Sequence, residues 1–269
     1  MKSIHHSHWH TSVDRLGAES LDARAAFIST GLECAAGLRV NKFSFKIEKA
    51  RWEVFRSPAG PLSADITGLV GVEAYLGSGG DLRRVMLKDY GEMALSLISE
   101  AVRGVIQAET FLYRERGYQD GKSYDDFWNS MYLNTCRYYS NLDRITVPWE
   151  SHVAGQQRYG CLFNRFKTIS LARDGEELLA TGSLADSFHE VGLRLTLDRS
   201  RSVTSARLSL LRGPDPVCFE SDRFSPNLQG LKLPALSKKD LAAALGGSQG
   251  CVHMIDLCHD LATVLRDLP

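Results

Sequence analysis

The sequence predicts an α+β protein in two strand-then-helix halves, 1–150 and 151–269, each an antiparallel sheet covered by helices. Three observations predict it. Apolar and polar residues alternate in two blocks, roughly 43–76 and 166–210. Each block gives way to helical spacing, which suits an antiparallel sheet with helices on one face. Pro148, Gly155 and Gly160 mark 145–160 as the junction between the halves.

The elements follow in order. His5, His6, His8 and His10 crowd the first ten residues, which read as a mobile tail. Leu21, Ala25, Ala26 and Ile28 recur on one side of a helix over 13–36, with Gly37 as its stop. Phe43, Phe45 and Ile47 alternate as a strand, and Trp52, Val54 and Phe55 continue in a second. The SPAGP stretch at 57–61 is a turn. The β-branched, glycine-containing run 66–76 reads as a third strand, broken by Gly77-Ser78-Gly79-Gly80. Leu95, Ile98, Val102, Val105, Ile106, Phe111 and Leu112 then define a helix over 92–116 that ends at Gly117, and a second helix spans 124–141 with Phe127, Met131 and Cys136 inward. The second half restarts as strands at 166–171, 177–184, 191–197 and 203–210, with turns at Arg173-Asp174-Gly175 and Asp198-Arg199-Ser200. Helical stretches follow at 228–231, 238–245 and 251–268, the last two separated by Gly246-Gly247 and Gly250.

Composition narrows the function. The 269 residues are 43% hydrophobic and 24% charged, with 32 Lys+Arg against 32 Asp+Glu. That balance argues against a nucleic-acid or membrane-surface binder, which carries a basic excess, and no apolar run reaches the roughly 18 residues of a membrane span. The start, MKSIHHSHWHTS, is not a secretory signal. Six dispersed cysteines with no C-x-x-C pair suit free thiols and a cytoplasmic location. Gly77-Ser78-Gly79-Gly80 lacks the Lys-Ser/Thr of a phosphate loop, and no G-x-S-x-G or H-E-x-x-H is present. A small-molecule substrate is the expected partner, with a homo-oligomer allowed.

Residues 162–268 resemble an uncharacterised bacterial family, domain of unknown function 2889. The likeness rests on Phe188-His189-Glu190-Val191-Gly192-Leu193-Arg194-Leu195-Thr196-Leu197, on Pro216-Val217-Cys218, on Leu228-Gln229-Gly230-Leu231, and on Gly246-Gly247-Ser248-Gln249-Gly250-Cys251-Val252-His253-Met254. It implies a fold unit rather than an activity. The same segment is faintly similar to iron–sulfur scaffold proteins of the IscU/NifU type, whose ligands come from a sheet edge, the loop after the last strand and the start of the final helix. The matching places here hold Glu190 beside His189, then Cys218 and Cys251, with Phe188 where a first scaffold cysteine would stand.

Two constellations carry candidate chemistry. His189, Glu190, Cys218, Cys251 and His253 offer imidazole, carboxylate and thiolate to a single d-block ion, with Cys218, Cys251 and His253 as the metal set. At a helix start the backbone amides would lower the Cys251 pKa, and only one of His189 and Glu190 can face such a site from a strand. A metal-free polar site and buried structural residues are the alternatives. The second set is aromatic: Trp128, Tyr132 and Tyr139 share a helical face, as do Glu109, Tyr113 and Arg116. Trp128, Tyr132, Arg137 and Tyr138 could cradle a planar anion by stacking and charge-assisted hydrogen bonds; the alternative is a helix–helix interface. The expected function is a small-molecule enzyme with its pocket between the halves, running a lyase-type acid–base step (decarboxylation or retro-aldol cleavage) on an aromatic or phenolic compound. His189, Glu190, His253 and Tyr139 are its candidate catalytic residues, with no cofactor or one metal ion. A metal-binding accessory or carrier protein is the alternative.

Overall fold

The structure, a computed structural model of the chain, describes residues 1–153 and 158–268. Among the described residues are nine strands: β1 Lys2–Leu16, β2 Ser20–Ser29, β3 Glu33–Asn41, β4 Ile47–Arg56, β5 Leu62–Asp65, β6 Cys161–Asp174, β7 Glu177–Asp186, β8 Glu190–Leu197 and β9 Val203–Arg212. The α-helices are α1 Gly79–Asp89, α2 Glu92–Ala108, α3 Gly121–Met131, α4 Lys238–Ala244 and α5 Val252–Asp267. The α+β class stands. The division into units differs from sequential halves: one comprises Met1–His6, Asp125–His152 and Lys167–Pro269, the other Ser7–Tyr124 and Val153–Phe166. Gly155, part of the expected junction, lies outside the described residues.

In the Ser7–Tyr124 unit the strand order is β5-β4-β3-β2-β1-β6. The expected helix over 13–36 is instead the end of β1, all of β2 and the start of β3. Ala25 and Leu21 satisfy both a helical and a two-residue period, and tertiary pairing decides for the latter. Inward residues meet across the strands as Trp9↔Phe27, Val13↔Ala23, Ala25↔Ala36 and Leu21↔Val40. Ile28, assigned to a buried helix face, is exposed, and Gly37 pairs within β3 rather than ending a helix. The His-rich stretch belongs to β1 and is not a tail.

Leu97, Ile98, Ala101 and Val105 of α2 are buried, and α2 packs on β2 and β3. Gly104 permits the approach, since a Cβ there would lie 3.0 Å from Val13 Cγ2 and 3.1 Å from Thr11 Cγ2. The long predicted helix ends at Ala108 and passes into a short 3₁₀ turn, Glu109–Phe111. There the fully buried Glu109 accepts from the Tyr75 hydroxyl and from Arg116 Nε at 2.9 Å, so the Glu109–Arg116 pair is spent inside the unit. The run 66–76, expected as a strand, is a 3₁₀ turn (Thr67–Leu69) followed by irregular chain. Phe43 is exposed in the turn before β4, and Phe45 takes a left-handed φ of 53°. Helix α1 has no counterpart in the sequence reading.

In the other unit the strand order is β1-β6-β7-β8-β9. The four strands predicted here are present, with register pairs Leu184↔Val191, Ala180↔Leu195 and Leu193↔Leu208. Helix α5 packs on β7 and β8. The final turn of α5 is closed by Arg201, whose Nη1 and Nη2 donate to the carbonyls of Leu265 (2.5 Å) and Leu268 (3.1 Å), orphan groups at any helix end. Two expected helices shrink. The one placed at 124–141 stops at Met131 as α3, and 228–231 is the tail of a 3₁₀ segment, Pro216–Leu228, plus a turn. Among the described residues no helix is long and apolar enough to cross a membrane.

Candidate functional site

The site is built from two tight corners of the Lys167–Pro269 unit. Strands β7 and β8 pair down to Ala185↔Glu190, leaving Asp186, Ser187, Phe188 and His189 as the connecting turn. Asp186 organises it. Its Oδ1 accepts the amides of Phe188 (2.8 Å) and His189 (2.7 Å) and faces His189 Nδ1 at 3.1 Å, while its own amide donates to the His189 carbonyl at 2.8 Å. This is the local side-chain-to-backbone bonding that suits aspartate to turns. From β9, Arg212 latches the turn by donating to the carbonyls of Asp186 (2.7 Å), Ser187 (3.1 Å) and His189 (3.3 Å).

The second corner is 246–251, which leads into α5. Gly250 is obligatory here, since a Cβ would stand 1.9 Å from the Leu245 carbonyl oxygen. Three residues later His253, in the first turn of α5, lays its ring on that of His189, with centroids 3.9 Å apart at 32°. Its Nε2 stands 3.8 Å from Asp186 Oδ2. One ligand atom each from Asp186, His189 and His253 lie within 4.8 Å of one another. The Asp186 side chain is fully buried, and the two histidine side chains are 13% exposed. Two imidazoles and one carboxylate are a donor set for a borderline divalent ion.

Of the residues singled out from sequence, the structure brings His189 and His253 together, and it adds Asp186, which the sequence reading missed. The usable signal was the spacing Asp186-Ser-Phe-His189 at the end of a predicted strand. Glu190 is the first residue of β8 and is not in the group, while His189 stands in the turn before it, so strand alternation does not decide between the two. Cys251 Sγ lies 3.9 Å from His253 Nδ1. Neither Cys251 nor Cys218 joins the clustered ligand atoms. Burial pushes each of these thiols up to about 12, so at Cys251 desolvation outweighs the helix-start amides that were expected to lower it.

The aromatic set does not share a helical face, because α3 ends at Met131, after Trp128 and before Tyr132. It forms a chain of ring contacts instead: Trp128–Tyr132 at 4.5 Å, Tyr132–Tyr139 at 5.4 Å, Tyr139–Tyr138 at 4.9 Å, Tyr138–Trp149 at 6.3 Å and Trp149–Phe188 at 4.8 Å. Burial raises the phenols of Tyr138 and Tyr139 above their ordinary value. Arg137 is buried and directs its guanidinium at protein groups, among them the Val217 carbonyl (Nε, 2.8 Å) and Glu220.

Asp215 fixes the segment that carries these aromatics. It accepts the amides of Val217 (2.8 Å), Thr146 (2.8 Å) and Val147 (2.9 Å) and the Thr146 hydroxyl (3.0 Å). Burial alone would raise its carboxyl, but these donors outweigh it and hold the group below its ordinary 3.8. A carboxyl depressed in the folded state contributes stability above its unfolded pKa and loses it as pH falls through the folded value. Asp215→Asn is therefore expected to be less stable at neutral pH and to lose less stability on acidification below about 3.8. Urea unfolding from neutral to strongly acidic pH checks this, and parallel pH curves for the two proteins would refute it.

Residues 173–266 match a family described as "Protein of unknown function (DUF2889)". The match takes in both corners, hence Asp186, His189, Arg212 and His253, and leaves out Arg137 and the aromatic chain as far as Trp149. No curated protein and no solved structure matches the chain.

Proposed function

We propose that the chain is an enzyme that binds one divalent metal ion through Asp186, His189 and His253 and acts on a small organic molecule. The observation that carries this reading is the clustering of three ligand atoms of mixed nitrogen and oxygen character within 4.8 Å. Three protein ligands are the number typical of catalytic rather than structural sites, because they leave coordination positions for water or substrate. That count favours the enzyme over a storage or carrier role. The reaction class we assign is a lyase step, decarboxylation or retro-aldol cleavage. In either, CO2 or a carbonyl fragment leaves, the electron pair of the broken carbon–carbon bond passes through the adjacent carbon onto a conjugated carbonyl oxygen, and an ion held by these three residues would supply the positive charge that stabilises it. Phe188 and Trp149, packed up to His189, favour an aromatic or phenolic substrate. The balanced charge and the thiol usage support a cytoplasmic setting.

The test uses untagged protein titrated with Zn(II), Mn(II) and Co(II), followed by a thermal-shift screen of small phenolic and aliphatic acids with and without metal. One ion per chain is expected, with some acids stabilising only the loaded protein. A ligand at a hundred times its dissociation constant adds about 2.7 kcal/mol. Absence of stoichiometric metal uptake would overturn the reading.

A further inference from the structure

We infer that Arg137 is the positioning residue for His253, so that the metal centre is completed by a segment lying outside the family match; the metal part of this inference rests on the reading above. The two corners hold their functional groups by different means. The Asp186–His189 turn is latched from within the matched region by Arg212. The 246–251 corner is held from 137–141. The Arg137 amide donates to the Gly250 carbonyl at 2.9 Å, and Nη1 donates to the Gln249 carbonyl at 3.2 Å. Ser140 Oγ donates to the Ser248 carbonyl at 2.7 Å, and Asn141 Nδ2 to Gln249 Oε1 at 3.1 Å. Each residue from 248 to 250 is thus gripped just before Cys251 and His253.

Arg137 is the centre of this grip because it faces two ways. While its amide and Nη1 hold the corner, Nε donates to Val217 at 2.8 Å and Nη2 pairs with Glu220. At 3% exposure the side chain is packed as part of the interior. A rigid planar fork can hold two carbonyls and a carboxylate at once, which a lysine ammonium on a flexible stem cannot do in the same geometry. The position of His253 over His189 then depends on a guanidinium that touches neither ring.

The decisive comparison is wild type against Arg137→Lys, with Arg144→Lys as a control, since Arg144 shares Glu220 from an exposed position. Two readouts are taken. Co(II) titration gives the dissociation constant and the visible spectrum of the bound ion. Nuclear Overhauser contacts between the ring protons of His189 and His253, in protein with labelled histidine, report the stacking without any metal. For Arg137→Lys we expect an about 10-fold weaker Co(II) constant with an altered spectrum, the low end of what loss of a direct outer-shell partner costs because Arg137 acts through the 248–250 backbone, together with loss of the ring contacts. Arg144→Lys should match wild type in both. Should Arg137→Lys fail to fold, Gln249→Ala, at a half-buried loop position, removes one anchor of the same grip and should weaken both signals in the same direction. Wild-type ring contacts in a folded Arg137→Lys or Gln249→Ala protein overturn the inference. Wild type that shows ring contacts but binds no Co(II) overturns the metal reading, and the contacts still decide on Arg137.

Discussion

Asp186→Ala protein is expected to take up no metal at the site and to be the least stable of the site variants. Removing one of three ligands should weaken binding by more than the roughly 100-fold that loss of an outer-shell partner costs. The carboxylate also serves the turn. Without Oδ1 the amides of Phe188 and His189 lose their acceptor, and each unsatisfied buried donor costs about 1–3 kcal/mol. A loss of about 2–6 kcal/mol in urea unfolding follows. His253→Ala separates the two effects, because the amides of Phe188 and His189 keep Asp186 Oδ1 as their acceptor. It should lose the metal, as read by calorimetric titration, with less than half the stability loss of Asp186→Ala. If His253→Ala binds metal as tightly as wild type, the ligand assignment is wrong.

Gly250→Ala is expected to have the largest effect of any single methyl group in the Lys167–Pro269 unit. The new Cβ would meet the Leu245 carbonyl oxygen at 1.9 Å and the Leu245 carbonyl carbon at 3.0 Å. Both obstacles are backbone, which cannot rotate aside as a side chain can. Overpacking typically costs about 1–3 kcal/mol and more where nothing can give, so about 3 kcal/mol or above is expected. The corner must move to make room, and His253 moves with it, so metal affinity should fall along with stability. A Gly250→Ala protein with wild-type unfolding midpoint and metal affinity would show that the corner is softer than its geometry implies.

What the sequence disclosed follows from the physics of each signal. Strands β6–β9 were legible because β7 and β8 bury every second residue, β6 and β9 do so over most of their lengths, and turn residues stand between them. Strands β1–β3 were not, because alanine and leucine at 21, 25 and 26 fit a helix equally well, and only cross-strand partners such as Trp9 and Phe27 break the tie. The pairing of residue 189 with residue 253 could be anticipated from the glycine corner that reverses the chain before α5. The spacing of Asp186 and His189 pointed only to a turn, where an aspartate at a strand end is usual, and the second duty of Asp186 toward His253 appears only when α5 is in place. Arg137 looked like an anion holder for the same reason: a sequence reports that a charge is present and not which carbonyls it will meet.

The first strand has a consequence for how the chain is made. Residues 1–6 belong with the Lys167–Pro269 unit, and His6 Nδ1 meets Ser170 Oγ at 2.9 Å across a separation of 164 residues. At about 5–20 residues per second on the ribosome, that strand end waits on the order of ten to thirty seconds for its partner to be synthesised. The unit bearing the two histidine rings therefore closes onto its first strand only after the whole of the Ser7–Tyr124 segment has been made.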